Sequence, residues 1–145
     1  MRGQLSIAFL MVLAIVVLLV IIIYPYINEE VENNKVIAEA RDGVMHVIGL
    51  RGSGFSDINE PFNARVESIS MKCNGSSPER CTIYIVVDMP DYLFSNTTFL
   101  NSLDRDIRMY ARGYVYNAYY GNISLSLSPV ITEDRVIYIN STKFK

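Results

Sequence analysis

Hydrophobic and polar positions divide the chain into three stretches. From Gly3 to Asn28 no charge interrupts the sequence, and Leu5 to Ile23 is almost wholly aliphatic. As a helix rising about 1.5 Å per residue, the aliphatic run covers ~28 Å, close to the ~30 Å hydrocarbon core of a bilayer. Beyond Pro25, apolar residues recur at Ile27, Val31, Ile37, Ala38, Val44, Met45 and Ile48, near the helical period. Between them lie Glu29, Glu30, Glu32, Lys35, Glu39 and Arg41, with Lys35 and Glu39 spaced to pair on one helix face. The pattern predicts one helix over 4–50, apolar over 5–27 and amphipathic over 28–50. Pro25 removes one backbone hydrogen bond and is expected to kink this helix without ending it. Gly43 weakens the pattern, and Gly49, Gly52 and Gly54 terminate it. The one-sided half must bury its stripe, either on its own domain or on neighbouring copies.

After these glycines the period changes to two. Four segments read as strands bounded by turn residues: RVESISMK, CTIYIVVD, NISLSLS and RVIYINS. CTIYIVV is β-branched on both faces and suits a central strand. Ile123 to Ser128 alternates apolar and hydroxyl side chains. The first two segments, joined by a short turn-rich link, predict an antiparallel hairpin. DRDIRMYARGYVYNAYYG fits a long strand interrupted near Gly113 slightly better than a helix. The expected architecture is α+β: a long N-terminal helix kinked at Pro25, then a small antiparallel β-sheet head over 51–145.

Composition sharpens this picture in three places. The net charge is −2 with no basic tract, so nucleic acid is not an expected partner. The apolar run ends IIIYPYINEE, without the small-x-small site of a cleavable secretory signal. Arg2 precedes the run and Glu29, Glu30 and Glu32 follow it, which predicts a cytoplasmic start and a head outside. An outside compartment suits Cys73 and Cys81, the only cysteines, as a disulfide across NGSSPER. Metal binding is the weaker alternative, because two thiols and a distant His46 do not complete a four-ligand site. Acceptor triplets at Asn74, Asn96, Asn122 and Asn140 mark candidate N-glycosylation sites; the simpler reading is that such residues are common in β-rich domains.

The first residues carry a more specific signal. Arg2-Gly3-Gln4-Leu5-Ser6, followed directly by an aliphatic run, resembles the class III signal peptide of archaeal type IV pilin-like proteins. The resemblance implies a leader, 1–3, cut by a prepilin peptidase between Gly3 and Gln4. It also implies that the apolar helix, resident in the membrane before assembly, later packs among other pilin subunits in an extracellular filament. Gln4 and Ser6 match the family's glutamine-x-serine pattern, and Pro25 sits near where the family carries a kinking proline. Two residues after the serine, where the family usually has glutamate, stands Ala8. In the family that glutamate is thought to attract the terminal amine of the adjoining subunit. A chain lacking it suits the first subunit laid down, which points to a minor or tip position; apolar packing of Phe9, Leu10, Leu13 and Val17 is the alternative route to a major subunit. The plain alternative to the whole resemblance is a membrane-anchored extracellular binding module that never polymerises.

Other candidate chemistry is sparse. Tyr110, Tyr114, Tyr116, Tyr119 and Tyr120 crowd one segment and offer either a sticky face or, more simply, sheet packing with hydroxyls at the rim. His46 reads as packed or solvated rather than as a ligand. Asp104 and Asp106 read as a solvated turn, since two carboxylates without an oxygen-rich loop do not hold a cation. No phosphate loop or nucleophile elbow occurs, and one histidine supplies no nucleophile–base pair, so neither catalysis nor a cofactor is expected.

Overall fold

The computed structural model describes residues 2–54 and 62–145, with 2–5 described as backbone only. The fold is α+β: a long apolar N-terminal helix followed by a small mixed sheet and a second helix. Helix α1 runs from Arg2 to Gly52 and contains Pro25. A kink at Pro25 is not shown. The proline withholds one N–H from the carbonyl of the preceding turn, and the helical residues on either side continue through it. The chain divides into two compact units, Met1–Asn34 and Lys35–Lys145.

In the second unit, strands β1 (Arg65–Asn74) and β2 (Glu79–Asp88) form the expected antiparallel hairpin, with Cys73 opposite Cys81 and a register shift between Val66 and Ser68. A 3-10 turn, Asp91–Ser95, leads into helix α2 (Thr97–Tyr120). Strands β3 (Val130–Ile131), β4 (Arg135–Ile139) and β5 (Lys143–Phe144) complete the sheet. Its order is β1-β2-β4-β3, with β5 also on β2. β4 pairs with β2 in parallel, as does β5. The all-antiparallel expectation is therefore corrected. A parallel return requires a crossover, and α2 supplies it.

The segment read as an interrupted strand is α2. Phe99, Leu103, Ile107, Ala111 and Val115 recur every fourth residue and are buried. Asn96 caps the helix start, its side chain accepting from the Phe99 amide at 3.0 Å. Gly121, at φ 71°, ends it in the left-handed region. NISLSLS is not a strand either; it runs alongside α2 without joining the sheet. Arg112, buried to 8% exposure, donates from Nε to the Ser128 carbonyl (3.1 Å) and from Nη1 to the Ser124 carbonyl (2.5 Å). These bonds satisfy carbonyls that a neighbouring strand would otherwise take.

The core joins Val36, Ala40, Val44, Val47 and Ile48 of α1 to the buried face of α2 and to Ile83, Ile85, Val87 and Ile137 of the sheet. The buried stripe of α1 is thus shifted from the one its apolar spacing suggested: Val36 and Val47 are inside, whereas Ala38 and Met45 are exposed. Gly43 marks where α1 meets α2, since a Cβ there would lie 2.6 Å from the Tyr110 carbonyl oxygen and 2.8 Å from the Ala111 Cα. Arg51, in the last turn of α1, bonds Asp106 and Ser102 of α2 and fixes the same pairing from the other end.

Candidate functional site

The first unit is defined by what it leaves uncovered. Every large apolar side chain from Ile7 to Ile27 that the structure describes is exposed, from 47% at Ile23 to 76% at Tyr26. No single stripe is spared; Phe9, Leu10, Met11, Val12 and Leu13 follow one another around the helix and are all exposed. A helix apolar on every side is stable only when surrounded by apolar material, whether lipid or other helices. The span is long and apolar enough to cross a membrane, with a mean hydropathy of 3.4 over its most apolar window. Anchoring in a membrane is compatible with this surface. Ala8 is exposed within it. Arg2, Gly3 and Gln4 lie in the first turns of α1, Ser6 is exposed just beyond, and Met1 of the expected leader lies outside the described residues.

The second unit carries the other sites. Cys73 and Cys81 are joined in a disulfide across the β1–β2 pair, with Cα atoms 4.0 Å apart. Glu79 lies beside them. Its carboxylate is engaged by Arg135 Nε at 2.9 Å, and sulfurs bonded to each other offer no thiolate to a metal. Asn74, Asn96, Asn122 and Asn140 are all exposed. Two of them already use their side-chain oxygens: Asn74 Oδ1 accepts from the Arg80 amide (2.9 Å), and Asn96 Oδ1 caps α2. In both, the amide nitrogen that a glycan would use is the other atom of the side chain.

The tyrosines do not share a face. Tyr110 stacks on the exposed His46 with ring centroids 5.3 Å apart, and Tyr114 lies 6.0 Å from the same ring. Tyr116 stacks on Tyr120 at 4.5 Å and carries the Arg112 guanidinium 4.5 Å above its ring. Asp104 and Asp106 are helical rather than part of a turn. Asp104 accepts from the Thr142 amide (2.5 Å) and pairs with Arg108 (2.9 Å), while Asp106 pairs with Arg51. Both carboxylates tie neighbouring elements to α2.

Sequence reasoning overlooked the far face of the sheet. Both helices pack on the face carrying Cys81, Ile83, Ile85 and Val87. Among the described residues nothing packs over the other face, which presents Tyr84 (39% exposed), Tyr138 (40%) and Ile131 (61%). Lys72, Arg80 and Lys143 are exposed at register positions of that same face. Lys72 Nζ reaches over the Tyr84 ring at 5.8 Å, and none of the three cations has a carboxylate partner among the described residues. Asp88, the carboxylate of that face on β2, is bonded to Arg65 at 2.8 Å. At the rim, Glu67 accepts from Lys145 Nζ (2.9 Å) and holds that ammonium above its ordinary pKa, through the hydrogen bond first and its charge second. Even-numbered positions of CTIYIVVD carried the signal for this face, but a strand β-branched on both sides suggested burial on both.

No protein-family model, curated protein or solved structure matches the chain.

Proposed function

We propose that the chain is a structural, non-catalytic subunit of an archaeal type IV pilus-like filament. It starts as a membrane protein with its N-terminus in the cytoplasm and its head outside. A prepilin peptidase cuts between Gly3 and Gln4, and the mature helix then packs among the helices of other pilin subunits. The observation that carries this reading is the surface of α1, where apolar side chains from Ile7 to Ile27 are exposed on all sides ahead of a separately packed, disulfide-closed unit. Lipid covers such a surface before assembly and sister helices cover it afterwards. Arg2-Gly3-Gln4-Leu5-Ser6 in front of it supplies the processing signal, and Ala8 favours a minor or tip position. The four exposed acceptor asparagines suit a glycosylated exterior.

The second reading, a tethered binding module that stays in the membrane, rests on the same helix and on the uncovered sheet face. One preparation separates them. Filaments sheared from cells producing the chain are analysed by mass spectrometry for mature N-terminus and copy number. The filament reading expects the chain in that fraction, beginning at Gln4, and scarce relative to the dominant subunit. A chain confined to the membrane with Met1 or Arg2 intact overturns it; a copy number equal to the dominant subunit removes the tip position alone.

A further inference from the structure

One acceptor triplet opens on the uncovered sheet face. The Asn140 amide donates to the Ile83 carbonyl at 2.9 Å, which carries the β2–β4 ladder one residue past the Ile139–Ile83 pair. Asn140 therefore stands one strand spacing, ~4.8 Å, from Tyr84 and two residues, ~6.6 Å, beyond Tyr138 on its own strand. Alternation puts it on their face: Tyr138 is exposed, Ile139 half-buried and Asn140 exposed. Lys143 follows on the same face, opposite Val86. The third residue of the triplet, Thr142, is 9% exposed, and its hydroxyl has no hydrogen-bond partner among the described residues. Its backbone amide donates to Asp104 Oδ1 at 2.5 Å, so the backbone and not the hydroxyl secures this turn. A buried hydroxyl without a partner weakens a fold, and packing alone gives no reason for threonine over valine here. The triplet Asn140-Ser141-Thr142 gives one, since the hydroxyl is what makes Asn140 an acceptor.

We infer that Asn140 carries an anionic oligosaccharide and that this sugar covers the open sheet face. The inference rests on the outside placement of the head and is independent of polymerisation. In the transfer, Asn140 Nδ2 bonds to the anomeric carbon of a membrane-held glycosyl phosphate as the bond from that carbon to the phosphate oxygen breaks. The phosphate leaves with the electron pair, one Nδ2 proton passes to a base of the transferase, and nothing is oxidised or reduced. Because Thr142 is buried once β5 lies on β2, transfer precedes that closure. The apolar C–H faces of the first sugars then lie against the Tyr84 and Tyr138 rings, while their hydroxyls stay in water. Lys72 lies opposite Thr82, in the row across the sheet that continues to Tyr138. Neither Lys72 nor Lys143 has a carboxylate partner among the described residues, and acidic groups on the sugar supply one. Covered in this way, the tyrosines no longer form an exposed apolar patch.

The test uses the full chain purified from the cells that make it. Trypsin cutting after Arg135 and Lys143 frees residues 136–143, in which Asn140 is the only acceptor, and mass spectrometry reads the attached sugar. The expected peptide carries a glycan with at least one carboxylate or sulfate group. Hydroxyl-radical labelling should modify Tyr84 and Tyr138 at least threefold faster in Asn140→Gln than in the parent, with Tyr92, on the 3-10 turn, unchanged. Thr142→Val should also leave Asn140 bare, while unfolding at the same temperature as Asn140→Gln or higher. A bare Asn140 in native chain whose Cys73–Cys81 disulfide has formed overturns the inference and leaves the outside placement intact. So does a wholly neutral glycan. So does a modified Asn140 whose loss leaves both tyrosines as protected as before, which would assign the face to another molecule. Alkylation of both cysteines in unreduced native chain overturns the placement and the inference together.

Discussion

Gly43 and Gly49 lie on the same helix and should respond to alanine in opposite directions. At Gly43 the new Cβ would meet the backbone of α2, with the Tyr110 oxygen at 2.6 Å and the Tyr110 carbon and Ala111 Cα at 2.8 Å. Those atoms are backbone and cannot rotate away, so the helices must part by about 0.8 Å to restore ordinary contact. A gap of that size forfeits roughly a quarter to a half of the dispersion attraction at each contact along the seam, which includes Ala40, Val44 and Val47. Overpacking of this kind costs ~1–3 kcal/mol, and the gain in helix propensity returns at most about 1. The net expectation for Gly43→Ala is a loss of about 1 kcal/mol, or roughly 4 °C in Tm for a unit of this size. At Gly49 a Cβ meets nothing within 4 Å. Gly49→Ala should therefore stabilise, by ~0.5–1 kcal/mol. Thermal unfolding of the full chain in detergent, followed by the near-ultraviolet circular dichroism of the α2 tyrosines, measures both. If Gly43→Ala melts at or above the parent, the close crossing of α1 and α2 is not where the structure places it.

The Cys73–Cys81 disulfide should leave no thiol to alkylate in unreduced protein, read by intact mass; labelling at both cysteines would refute it. Replacing the pair by Cys73→Ser and Cys81→Ala should cost ~2–2.5 kcal/mol in chemical denaturation, the loop-closure value for a short crosslink. At the start of α2, Asn96→Ala should cost about 1 kcal/mol through the lost cap, whereas Asn96→Asp keeps the acceptor oxygen and should match the parent. Because both substitutions remove the glycan acceptor, a loss of stability shared by both would trace the effect to the glycan and not to the cap.

Local signals decided which parts of the fold could be read in advance. The hairpin was legible because its turn residues, β-branched runs and paired cysteines all agree, and β1 and β2 face each other in that register. α2 was not, because Tyr, Val and Ile over 104–121 favour a strand by propensity. The decisive cue lay further upstream, at Asn96, where a cap opens a series of apolar residues every fourth position. The error over α2 also produced the error over strand direction. With an extended segment between β2 and β4, an antiparallel meander is the economical path; with a helix there, the chain returns parallel. NISLSLS misled differently. Its alternation correctly marked an extended segment with two unlike faces, but Ile123 and Leu125 rest over Gly113, and Arg112 takes the carbonyls. Period two reports conformation; pairing depends on what else offers hydrogen bonds nearby.

The candidate sites follow the same division between chemistry and context. The apolar helix announces itself in composition because its apolar residues run on without a break, and no packing partner has to be inferred to see it. The acids at Asp104 and Asp106 look identical in sequence to a loose surface pair, yet each is committed to a distant residue, Thr142 or Arg51. Lys72, Arg80 and Lys143 are separated by up to 71 positions in a chain of net charge −2, and only the mixed sheet aligns them. The parallel docking of β5 on β2 brings Lys143 to the face that Lys72 and Arg80 occupy. An all-antiparallel head would have had no reason to put it there. The correction to the topology is thus what exposes the charged face, and an overall charge near neutrality conceals a local separation: cations on the sheet, carboxylates at the exit of the apolar helix.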